Sequence, residues 1–276
     1  MLQGRMDRQP AVAGRFYPGS PTVLAEQVAS LLAEPPGGRP TPEPPRPAVG
    51  VLAPHAGYVY SGRVAGATYA RVDVPERAII LCPNHTGMGA RVSLSPEGSW
   101  ITPIGRVPVD AALNRDLLES GLAVLDGEAH RQEHAAEVQL PFLQLRRPEI
   151  AIAVVCLGPL PMSGCRDLGL AVAAAARRHR ALVVASSDMS HYLPASVARR
   201  KDDLALERFL ALDADGLYAV VRREEISMCG YVPATVMLVA AVELGAREAE
   251  LVRYGTSADT SGDESSVVGY AGAIVY

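Results

Sequence analysis

The sequence predicts a one-domain α/β protein, spanning residues 1–276, with a mostly parallel central sheet flanked by helices. Three observations lead there. The runs Ala48-Val49-Gly50-Val51-Leu52-Ala53, Ala78-Ile79-Ile80-Leu81-Cys82 and Ala181-Leu182-Val183-Val184-Ala185 are short, apolar and bounded by Pro, Gly, Ser or Asn. Such runs read as fully buried strands of a parallel sheet. A helical stretch over 61–70 separates the first run from the second, the strand, helix, strand order of a parallel unit. Finally, 49% apolar residues in 276 supply enough material for a single large core.

The remaining elements follow in chain order. Ser20-Pro21 opens a helix to about residue 33, with Ser at the N-cap and Pro in the first turn. Residues 34–47 contain seven prolines and read as an extended surface connector. Turn residues at 97–99 and 103–105 predict a hairpin over 92–107 that carries the sole tryptophan, Trp100. A helix over 110–120 and a short strand over 122–125 come next. Helical spacing over 133–145 puts His134, Glu137 and Val138 on one side, with Pro141 interrupting the helix early. A buried strand over 150–157, an alanine-rich helix over 166–178 and helices over 199–211 and 215–223 precede an apolar helix over 234–244. Strands over 250–254 and 267–276 close the sheet.

Charge and composition exclude several classes. A net charge of −4 leaves no basic footprint for nucleic acid and no polybasic membrane patch. The first eight residues are polar, and no run approaches the roughly 18 apolar residues of a membrane span. The expectation is a cytoplasmic protein without nucleic-acid or membrane partners. Cys82, Cys156, Cys165 and Cys229 show no paired spacing, which argues against a disulfide framework.

The chemistry concentrates just past the strand ends. Three of the six histidines, His55, His85 and His191, follow the three apolar runs, and the carboxyl edge of such a sheet is where ligands bind. Cys229 lies at the start of the apolar helix, where the dipole favours thiolate. Singly, each residue has a plainer reading as a satisfied loop histidine or a small buried hydrophobe. Together, three strand-end histidines reverse that weighting. His134 and Glu137 read as a polar wall of the same pocket or as a helix face bonded to a loop. Tyr58 and Tyr192 flank the histidines as pocket walls or as packing residues.

The segments Ala53-Pro54-His55-Ala56-Gly57-Tyr58, Pro83-Asn84-His85-Thr86-Gly87, His134-Ala135-Ala136-Glu137-Val138-Gln139, Ser187-Asp188-Met189-Ser190-His191-Tyr192 and Cys229-Gly230-Tyr231 resemble the Memo family. Bacterial and archaeal members of that family carry the label AmmeMemoRadiSam system protein B. The resemblance implies a fold like that of class III extradiol dioxygenases, with a mononuclear pocket in which His55, His85 and Cys229 hold metal. Iron is the first choice, ahead of copper or zinc. It further implies that His191 and Asp188 stand beside the metal, His191 as acid or base, and it associates the chain with AMMECR-type and radical SAM proteins. The extradiol enzymes use two histidines and a carboxylate, so Cys229 departs from their pattern. Two other readings stand beside the redox enzyme: a hydrolase or transferase using Cys229, His191 and Asp188, and a non-catalytic module binding a peptide or small ligand.

Overall fold

The computed structural model describes residues 7–33 and 44–276. Its central sheet is built from β1 (Gly50–Ala53), β2 (Arg77–Pro83), β3 (Val92–Leu94), β6 (Val124–Leu125), β7 (Ala151–Leu157), β8 (Leu182–Ser186), β9 (His191–Leu193), β10 (Ala249–Thr256) and β11 (Val267–Val275). The order is β10-β11-β1-β8-β2-β7-β3-β6, with β9 paired to β11 outside this path. The four central strands β1, β8, β2 and β7 are mutually parallel, in the register Leu52↔Ala185, Ile79↔Val183 and Ile80↔Val154. Antiparallel pairs extend the sheet on each side, β11 against β1 and β3 against β7. The expected α/β fold with a mostly parallel sheet is what the chain adopts.

Alternation along each strand sends side chains to two cores. Leu52, Ile79 and Leu81 face one layer, made by α3 (Ala111–Glu119), α6 (Met162–His179), α7 (Ala195–Leu210), α8 (Ala214–Arg223) and α9 (Tyr231–Leu244). Val51, Ile80 and Cys82 face the other, made by α1 (Pro21–Ala33), α2 (Tyr58–Ala70) and α5 (Leu140–Arg146). Because the central strands are buried on both faces, their sequences are continuously apolar, which is why they were legible. All four end at one edge, at Ala53, Pro83, Leu157 and Ser186, and the loops leaving that edge carry His55, His85 and the segment 187–191.

Several expectations need correction. The hairpin over 92–107 divides: β3 joins the main sheet beside β7, and only β4 (Ser99–Thr102) and β5 (Gly105–Pro108) form the hairpin, with Trp100 opposite Val107. The helix over 133–145 also fails. Residues 132–136 are irregular, Glu137–Gln139 form a 3₁₀ turn, and Pro141 lies in the first turn of α5, so it starts the helix where it was expected to interrupt one. The cause is visible at Glu133, whose carboxylate accepts the backbone N–H groups of Ala135 and His85 and so competes with helical bonding. A short helix α4 (Glu128–Arg131) and the strand β9 were not foreseen. Of the proline-rich connector, residues 34–43 lie outside the described residues, while Arg46 pairs with Val72 in a single bridge.

Candidate metal centre

His55 stands at the end of β1 and is 2% exposed. Its Nδ1 is 2.8 Å from Ser186 Oγ. That hydroxyl donates to the Ala135 carbonyl at 2.8 Å and receives the Gln139 amide at 2.8 Å, so its one proton is committed. His55 Nδ1 must therefore be the donor, leaving a bare lone pair on Nε2. Nε2 lies 3.3 Å from Cys229 Sγ. Burial, reinforced by His134 and His85, holds His55 well below the usual histidine range, so the ring is neutral and ready to ligate.

His85 reaches the same point by a different support. Glu133, fully buried, accepts the His85 backbone N–H at 2.7 Å and faces its Nδ1 at 2.9 Å. This fixes the Nδ1–H tautomer and again frees Nε2. Burial works against the imidazolium here, but Glu133 outweighs it and the net shift is upward. The Glu133 carboxyl is held below the ordinary range by His85 and by the Ala135 and His85 N–H groups, which outweigh its burial.

Cys229 is carried to the strand end by the start of α9. A Cβ on Gly230 would stand 2.3 Å from the Ser186 carbonyl oxygen and 2.5 Å from Ser187 Cβ, so only glycine permits this approach. The sulfur accepts the Asp188 N–H at 3.3 Å. Burial, followed by the charge of Asp188, pushes the thiol far up, so the expected lowering by the helix dipole does not prevail. Ligand atoms of His55, His85 and Cys229 all lie within 4.8 Å of one another, as do those of His85, Glu133 and His134. The second group is already used: the Glu133 oxygens serve three N–H donors.

The other singled-out residues separate into near and far. Asp188 Oδ1 accepts the His55 backbone N–H at 2.8 Å, and burial pushes its carboxyl up to about 6. His191, on β9, presents Nδ1 to the Ser227 carbonyl at 2.8 Å, so this nitrogen carries the proton and Nε2 is free. The loop between them is tied to β11, where Met189 N–H donates to Gly269 O and Gly269 N–H to Ser190 O, both at 2.8 Å. The His134 ring stacks on His85 with centroids 4.8 Å apart, and Phe16 meets it edge-on, also at 4.8 Å. Glu137 stands apart: its carboxylate receives Arg8, the Ala11 and Val12 N–H groups and the Tyr17 hydroxyl, and so anchors the segment from 8 to 17. Tyr58 donates to the Val138 carbonyl inside the core, and Tyr192, with φ 57°, is 79% exposed. Sequence reading did not single out Glu133, Ser186 or Gln139, and the only signal for them was proximity to quoted motifs.

This fold and strand-end constellation define an α/β protein with a potential ligand site at the carboxyl edge of its sheet. A family profile described as Memo-like protein matches residues 8–274, and the chain belongs to that family. It is 42% identical over 274 residues to a MEMO1 family protein of Methanothermobacter thermautotrophicus, covering 96% of this chain and 99% of that one. It is 40% identical over 268 residues to a MEMO1 family protein of Aquifex aeolicus, covering 97% and 98%. A crystal structure of an Escherichia coli K12 protein shares the fold at a TM-score of 0.53 and 16% identity, over 82% of this chain and 98% of that chain. No helix among the described residues is long and apolar enough to cross a membrane.

Proposed function

We propose that His55, His85 and Cys229 hold a single metal ion, iron ahead of copper or zinc, and that the protein is a metal-dependent redox enzyme of dioxygenase-like type acting on a small molecule. One observation carries this reading: both imidazoles have Nδ1 committed to the protein, which leaves their Nε2 lone pairs to accept, that of His55 3.3 Å from the Cys229 sulfur, and ligand atoms of all three residues lie within 4.8 Å of one another. A mixed nitrogen and thiolate set suits these metals, and three ligands leave positions open. Bound there, the metal would supply Lewis acidity and, for iron or copper, redox capacity.

The chain's own groups do the rest. Cys229 would hold the metal as the thiolate, a form that a cation would favour in a site where burial otherwise opposes it. Asp188, whose Oδ1 accepts the His55 backbone N–H, and His191, with Nε2 free, are the groups able to hold or move a proton beside the metal. Ser186 and Glu133 keep the two ligands in their tautomers. The cysteine hydrolase reading has less support, since burial raises the thiol and the imidazole on sulfur is His55, while His191 Nδ1 is bonded to Ser227.

The test is metal content by plasma mass spectrometry after anaerobic, tag-free purification. Near one equivalent of iron or copper is expected in the wild type and little in His85→Ala and Cys229→Ser. A wild type that neither carries nor takes up metal would overturn the proposal.

A further inference from the structure

Lys201 is the only lysine among 26 basic residues, all the others being arginine. It lies half-buried on α7, and its Nζ donates to the carbonyls of Glu224 and Glu225, the latter at 3.3 Å. These carbonyls follow the last turn of α8, where a helix leaves acceptors without internal partners and a cation meets the negative end of the dipole. Glu225 is left-handed, with φ 50°, so the chain bends there on its way to Ser227 and Cys229. A compact ammonium with three donors serves two successive carbonyls from one point, a task that suits it better than the longer planar fork of arginine.

The next residue on α7 holds the other side of the site. Asp202 is fully buried; its Oδ1 accepts the Ser190 N–H at 2.9 Å and its Oδ2 accepts the Tyr254 hydroxyl at 2.7 Å. β11 gives way to it, since a Cβ on Gly269 would stand 2.2 Å from Oδ2. A buried carboxylate is costly unless its bonds are made, and one of these runs to the backbone beside His191. The two loops then meet at Ser227, whose Oγ accepts the His191 N–H and whose carbonyl accepts Nδ1, both at 2.8 Å.

We propose that Lys201 and Asp202 are positioning residues that fix Cys229 and His191 relative to each other: Lys201 holds the loop that carries the sulfur, and Asp202 the loop that carries the imidazole. Their use to the site rests on the metal-centre reading, but the contacts do not. They are tested on metal-free protein, so that either reading can fail without the other.

The full-length protein is made with isotope-labelled histidine, and nitrogen chemical shifts report the tautomer of His191, which is assigned by its loss in His191→Gln. In the wild type at pH 8 the ring should carry its proton on Nδ1, the form that the Ser227 carbonyl selects; a proton on Nε2 would overturn the inference. Lys201→Met should return His191 towards the Nε2–H form favoured in water and speed alkylation of Cys229 by iodoacetamide roughly fivefold, as local opening does. Asp202→Asn, which leaves one acceptor oxygen for two donors, should shift the tautomer likewise. Leu206→Ala, a cavity on the core face of the same helix, is the control: it should lower Tm further yet leave both readings at wild-type values. Unchanged readings in Lys201→Met, or an equal change in Leu206→Ala, would overturn the inference. One further measurement needs no variant, because Lys201 is the sole lysine. Acetylation of its amine should be roughly tenfold slower in folded than in urea-unfolded protein, and equal rates would also overturn the inference.

Discussion

At the scale of single residues, the arrangement turns on which imidazole nitrogen carries a proton. Ser186 and Glu133 decide this for His55 and His85, and neither was legible in the sequence, because their partners lie 131 and 48 residues away. The proximity of His55, His85 and Cys229 was legible, because their placement after strands or before a helix depends on local pattern and the flanking motifs carry a family resemblance. Glu133→Gln replaces a carboxylate serving three N–H donors with an amide that has one acceptor oxygen. Metal affinity should fall about 10- to 100-fold, the usual effect of losing such a support, while the fold persists. Competition with a chromophoric chelator measures this, and an unchanged affinity would show that Glu133 does not orient His85.

At the scale of elements, the site depends on how closely α9 approaches β8. The sequence placed the helix start near residue 234, three residues late; Gly230, the N-cap, is a position where a side chain would not fit beside Ser186. Gly230→Ala pushes a methyl group into the Ser186 carbonyl and the Ser187 side chain and should cost about 1–3 kcal/mol of stability, as overpacking does. Cys229 moves with it, so metal occupancy should drop as well. Urea unfolding and metal analysis on the same sample check both; full stability with full occupancy would contradict the described contact. The failed helix over 133–145 belongs here too. Periodicity alone saw one amphipathic stretch, whereas the Glu133 side chain, bonding across to His85, holds the chain in a loop.

At the scale of the whole molecule, buried neutral histidines tie stability to pH. His130 is lowered to about 4 in the folded state, against 6.5 when unfolded. Above 6.5 neither state is protonated and nothing is lost; between 6.5 and 4 only the unfolded state takes the proton, so stability falls with pH. The loss approaches about 3 kcal/mol by pH 4. Asp188, raised to about 6, acts in the opposite direction over the range from 6 to 3.8, so the His130 share must be isolated by difference. Denaturation of the wild type and His130→Gln at pH 7 and pH 4.5 does so: the wild type should lose more on acidification, and parallel losses would refute the assignment.

The position of β11 in the interior of the sheet, between β10 and β1, carries a consequence for the order in which the protein is made. All three proposed ligands have been made once Cys229 is synthesised, yet the bonds that tie the loop of Asp188 and His191 to β11 wait for Gly269. The roughly forty residues in between take about 2–8 s at ~5–20 residues per second. During that interval a nascent chain displays two histidines and a thiol without a finished cage. On the metal-centre proposal, an ion captured then would be held by unshaped ligands, so the proposed metallation belongs to the completed sheet rather than the growing chain.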